Sequence, residues 1–160
     1  MQNVTVLCVG RLKEKFYLDA CAEYQKRLTR CCKLSLVELS EERLGENPSA
    51  AQIEAALERE AAAIEEKLPR GGLVVALCVE GEALSSEELS ETLAREALRG
   101  AGPVTFVIGG SFGLAGRVKR AAGMRLSMSA MTFPHHLARV MLLEQLYRAY
   151  QIQNGTKYHK

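Results

Sequence analysis

The strongest constraint on how this chain folds is an alternation. Short, mostly apolar runs take turns with longer segments whose apolar residues recur every three or four positions. Val4 to Val9 is apolar but for Thr5, without strict alternation, which suits a strand covered on both faces; Phe16 to Arg30 then puts Phe16, Ala20, Tyr24 and Leu28 on one helical stripe. Leu34 to Leu39 reads as a second strand, followed by a polar connection from Ser40 to Ser49 and an amphipathic helix from Ala50 to Leu68. Pro69-Arg70-Gly71-Gly72 ends that helix, and Leu73 to Val79 is a third buried strand. Ser85 and Glu88 have capping-box spacing and open a helix through Leu89, Leu93 and Ala97. Val104 to Ile108, a short helix from Ala115 to Ala122, a brief strand from Met124 to Ser127 and a last helix from His135 to Ile152 complete the series.

Strands that alternate with helices predict an α/β fold: a mainly parallel sheet with helices on both faces. At 160 residues the chain has the size of a single domain, spanning 1–160. Ligands of such folds bind beyond the carboxyl ends of the strands. The loops to search therefore begin at Leu77, Gly109 and Ser127.

No apolar stretch approaches the roughly 20 residues of a membrane span, and Met1 to Gly10 lacks the basic start of an export signal. Five cysteines without a C-x-x-C pair suit a reducing, cytoplasmic setting, although vicinal Cys31 and Cys32 leave a redox pair or metal ligation open. The formal charge of +2 hides an asymmetry. From Ala97 to Lys160 the one acid is Glu144, against nine bases and all three histidines, whereas Glu38 to Glu96 is strongly acidic. Either the bases attract a polyanion, or they pair with the acidic helices on folding.

Gly109-Gly110-Ser111-Phe112-Gly113-Leu114-Ala115-Gly116 lies between a strand and a helix, where bare backbone can approach a ligand closely. It is neither a dinucleotide fingerprint nor a P-loop, and no acid between Glu96 and Glu144 could hold a ribose. The segment Leu126 to His136 is uncharged up to its histidines and rich in small, hydroxylated and thioether side chains, which suits an apolar nucleoside better than a polyphosphate. Adjacent His135 and His136 diverge on a helix and make a poor metal pair, so no metal site is expected. Without a nucleophile beside a base, or paired carboxylates, a hydrolase is hard to build from the C-terminal half.

Taken together, Ile108 to Leu114, Leu126-Ser127 with Met131 to His135, Arg139-Val140, Glu144 to Ala149 and the terminal Tyr158-His159-Lys160 resemble the RlmH-type SPOUT methyltransferases. The resemblance spans the whole chain. It implies a C-terminal trefoil knot, with a cofactor-binding region at about 104–152 and a functional tail at 153–160. It implies a homodimer whose sites are each completed by the partner. The implied activity is methyl transfer from S-adenosylmethionine to N3 of a pseudouridine in helix 69 of 23S rRNA, on the assembled ribosome. By the same resemblance Leu77, Gly109, Gly110 and Met128, Ser129, Ala130, Met131, Thr132 and Phe133 would bind the cofactor. Tyr158 and His159 would be catalytic, and Arg139, Arg148 and Lys157 would meet the RNA. A tRNA-directed enzyme on the same scaffold and a non-catalytic ribosome-associated protein are the rival readings.

Overall fold

Val104–Ile108 is buried at every residue, as a strand with neighbours on both sides and helices above and below must be. The computed structural model, which describes residues 1–160, puts this strand at the centre of a five-stranded sheet. The elements in chain order are β1 (Asn3–Val9), α1 (Lys15–Leu28), β2 (Lys33–Leu39), α2 (Ala50–Lys67) and β3 (Leu73–Ala83). They continue with α3 (Ser86–Arg99), β4 (Val104–Ile108), α4 (Gly116–Ala121), β5 (Met124–Ser127) and α5 (His135–Gln153). The sheet order is β2-β1-β4-β3-β5 and every pairing is parallel.

Alternate residues of the central strands serve two separate cores. Val4, Val6, Cys8, Val104, Phe106 and Ile108 face α1, α3 and α5, while Leu7, Val9 and Val107 face α2 and α4. The steps β1 to β2 and β3 to β4 move one way along the sheet with their helices on the first face. The steps β2 to β3 and β4 to β5 move the other way with helices on the second, so all four crossovers share one hand.

Helix ends follow local chemistry. Ser85 Oγ accepts from the Glu88 amide at 3.1 Å while Glu88 accepts from the Ser85 amide at 2.7 Å, and Gly100, at φ 61°, closes the helix in the left-handed region. Ser49 and Gln52 form the same reciprocal cap on α2. The Ser-x-x-Gln spacing at Ser49 and Gln52 carries that signal.

The third strand departs from expectation. It runs four residues beyond Val79, and its pairing with β5 breaks, so that Leu77 and Glu82 both lie opposite Leu126. Cys78 to Gly81 is thrown out of the ladder as a bulge. Gly81 passes so near the backbone of β5 that a Cβ there would lie 2.8 Å from the carbonyl carbon of Leu126.

The last helix, α5, spreads polar and apolar residues around its circumference and is buried between α1 and α3 through Leu142, Leu143, Leu146, Ala149 and Tyr150. Polar ties lock it in place: Tyr150 donates to Gln2 at 2.7 Å and Ser90 to the Ala149 carbonyl at 2.8 Å. No helix is long and apolar enough to cross a membrane.

Candidate functional site

Because the strands are parallel, the bulge of β3 and the loops that follow β4 and β5 lie at one edge of the sheet and enclose a cleft of about 810 Å3. Leu77 and the bulge form one wall, Gly109 to Leu114 a second, and Met128, Ser129 and Met131 to Pro134 a third. The structure thus gathers around one cavity every residue named above for cofactor binding except Ala130, which is exposed and outside the lining. Met131 (73 % exposed) and Phe133 (36 %) stand at the surface of that wall, an apolar face open to a flat ligand.

The glycine-rich loop is closed on itself. Gly113 donates to the Gly110 carbonyl at 3.1 Å, and Gly109 lies against Gly113 with no room for a side chain. From behind, Glu41 of the β2–α2 connection accepts the Ser111 amide at 2.7 Å, and its carboxylate lies across the bare α-carbon of Gly110. Burial lifts the Glu41 carboxyl, but the Ser111 contacts and the two nearby imidazoles outweigh it and leave the group below the usual range. His135 lines the cleft, and burial, with His136 alongside, pulls its pKa down, favouring the neutral ring. Nothing in the sequence marked Glu41, since its partner lies 70 positions away.

No side chain in the cleft is a ready nucleophile. Burial raises the Cys78 thiol, and Cys8, behind the sheet edge, is pushed up to about 12. All five cysteines are free, and no cluster of three or more His, Cys, Asp or Glu is placed to hold a metal ion. Lys119 pairs with Glu80 at the rim and, with the bulge backbone, keeps that carboxylate well ionised.

Tyr158 and His159 do not line the cleft. The tail folds over α5, where Tyr158 donates to Glu144 at 3.0 Å beneath the Arg148 guanidinium, 4.8 Å from the ring centre. Arginine can only donate, so the 3.3 Å contact from Arg148 makes His159 Nδ1 the acceptor and turns the Nε2 hydrogen toward Glu87, 2.6 Å away. Burial and the Glu144 carboxylate raise the Tyr158 phenol, so it stays a donor near neutral pH.

The basic C-terminal half is partly spent on folding. Arg117 pairs with Glu58 and Glu65, and Arg148 with Glu144. Arg139 is only 3 % exposed; it binds Glu38 at 2.7 Å and the Gly10 carbonyl at 3.1 Å. A guanidinium so enclosed ties α5 to the ends of β1 and β2 and does not reach a phosphate at the surface, which corrects its assignment to RNA contact. Arg120, Arg125 and Lys157 are exposed and carry no ion pair. 

Comparison with known proteins adds independent findings. The family described as "Predicted SPOUT methyltransferase" matches residues 2–159. A Pelotomaculum thermopropionicum protein named Ribosomal RNA large subunit methyltransferase H is 49% identical over 159 residues, covering 99% of both chains. A protein of the same name from Clostridioides difficile is 44% identical over 158 residues, again covering 99% of each. Among solved structures, a probable methyltransferase from Bordetella pertussis superposes with a TM-score of 0.59 at 16% identity, over 93% of this chain and 95% of that one, a likeness of fold.

Proposed function

This chain belongs to the SPOUT methyltransferase family, and from that premise we propose that it methylates large-subunit ribosomal RNA with S-adenosylmethionine as methyl donor. The observation that carries the reading is the cleft at the carboxyl ends of β3, β4 and β5. It is apolar on the Met128–Pro134 side, free of basic clusters that would favour a polyphosphate, and of a size that suits a nucleoside-bearing ligand.

The residues present fit the donor. Apolar walls from Leu77, Leu126, Met128 and Phe133 suit an adenine ring, and the Gly109–Gly113 turn, kept compact by its bare glycines, forms the wall opposite. Ser129, Met131 and Thr132 complete that side of the cleft. When bound, the donor supplies an already activated methyl group, so the protein's task is alignment and removal of one proton.

The finer reading is that the acceptor is N3 of a pseudouridine in helix 69 of 23S rRNA on the assembled ribosome. There His159 would take the imide proton as the nitrogen–methyl bond forms and the donor's sulfur–methyl bond breaks, and Tyr158, kept protonated, would donate a hydrogen bond to the base. Because a protomer's own tail lies on α5 and not in its cleft, a second copy supplies these residues, which supports a homodimer. The trefoil knot at about 104–152 is the form expected of the family. Arg148 orders the tail, Lys157 with Arg120 and Arg125 meets phosphate, and the enzyme works in the cytoplasm, where ribosomes are.

The test is methyl transfer from labelled S-adenosylmethionine to ribosomes lacking the modification, free large subunits and bulk tRNA. Label is expected in the large-subunit RNA of whole ribosomes, at a pseudouridine of helix 69, with efficiency falling as salt rises. Label confined to tRNA would move the substrate; no label together with no donor binding would leave a non-catalytic binding protein. His159→Ala is expected to cut turnover about 100-fold or more while leaving donor affinity unchanged. A normal rate in that variant would remove the histidine from the chemistry.

A further inference from the structure

The β2–α2 connection lies outside the cleft lining, yet one of its side chains holds the loop that shapes it. Glu41 Oε1 accepts the Ser111 amide at 2.7 Å, and a Cβ on Gly110 would fall 2.6 Å from that same oxygen. Glu41 is itself braced. The next amide, of Glu42, donates at 2.9 Å to Glu60 on α2, a carboxylate only 7 % exposed, and Arg59 pairs with Glu42 at 3.2 Å. A rigid helix is thereby connected through two hydrogen bonds to the turn between β4 and α4. Loops positioned in this way keep their shape before a ligand arrives, which reduces the ordering cost of binding.

We infer that Glu41 is a positioning residue of the methyl-donor site: its carboxylate fixes the Gly109–Gly113 turn in the form that receives the donor, and the absence of a side chain at Gly110 exists to admit it. The inference rests on the proposed reading of the cleft as the donor site. It assigns the N-terminal half a direct part in donor affinity, through a residue that touches neither donor nor RNA.

The contact should report on donor binding, not on the chemical step. Glu41→Ala removes the acceptor and frees the turn, so donor affinity is expected to fall about tenfold, with turnover at saturating donor within about twofold of the parent. Glu41→Gln keeps an oxygen that can accept the Ser111 amide and is expected to restore affinity to within about threefold. Gly110→Ala displaces the flexible carboxylate and not the backbone, so it should reproduce the Glu41→Ala loss. Because both substitutions break one contact, the double variant should be no worse than either alone.

The measurement is calorimetric titration of the intact protein with S-adenosylhomocysteine, the demethylated product, alongside steady-state rates on ribosomes. If the parent protein binds neither this product nor the donor, the reading of the cleft fails. If the parent binds and Glu41→Ala binds equally well, the strut fails while the cleft stands. Additive losses in the double variant, or a Glu41→Gln protein as impaired as Glu41→Ala, would also overturn it.

Discussion

Gly109→Ala should bind S-adenosylhomocysteine about 10- to 100-fold more weakly than the parent, the largest loss expected from any single methyl group added to this protein. Gly109 has no left-handed torsion to protect, so the cost is purely one of space. A Cβ there would sit 2.5 Å from the carbonyl carbon of Gly113 and against its oxygen, and these are backbone atoms that cannot swing aside. Relief requires residues 113 and 114 to move outward, which opens the Gly110–Gly113 bridge and shifts the second wall of the cleft. A site in which alignment is most of the catalysis should lose turnover as well. The matched control is Gly45→Ala in the β2–α2 connection, where a Cβ meets nothing within 4 Å and binding should be unchanged. Normal affinity in Gly109→Ala would show that the closed turn is not the donor's seat.

Phe106→Ala should give the largest loss of stability, about 3–5 kcal/mol, read as a fall in Tm of roughly 10 °C or more in a scanning experiment. Phe106 is 1 % exposed and is the largest fully buried side chain. On the central strand it stands level with Val6 of β1 and Val75 of β3, so the cavity opens in the middle of the sheet beneath α5 and cannot collapse from an edge. Leu98→Ala, at a site 90 % exposed on α3, should change stability by less than about 0.5 kcal/mol. Equal effects at the two positions would mean that the core on the α5 face is not the one described.

What could be read from the sequence was what is local. Val104 to Ile108 is a short run, apolar but for Thr105, closed by two glycines, and Ser85 and Glu88 are three residues apart; both signals are complete within a few positions, so β4 formed with the expected bounds and α3 opened at the expected cap. The site's walls were legible for the same reason, since β-strand ends and their loops are contiguous in the chain. The bulge at Cys78 to Gly81 was not, because Glu80 and Glu82 ended the apolar run and looked like loop. On a strand bordered by the edge strand β5, charges can point outward and still pair their backbone. Arg139 misled by its charge: its partner Glu38 is 101 residues away, and no pattern along the chain joins them. Ala130 fell outside the lining because a turn directs some of its residues away from the cavity, which composition does not encode.

The order of strands in the sheet differs from their order of synthesis, and the difference governs when the protein can fold. β1 leaves the ribosome well before β4, yet one of its two edges pairs with that strand, about a hundred residues later. Until Val104–Ile108 emerges, Val4, Val6 and Cys8 have no neighbour on that side, and α5, which covers them, follows later still. Partners so distant in sequence place assembly among the slower, high-contact-order reactions. The nascent chain therefore carries an unpaired strand edge while the residues between β1 and β4 are made, in need of shielding until the sheet can close.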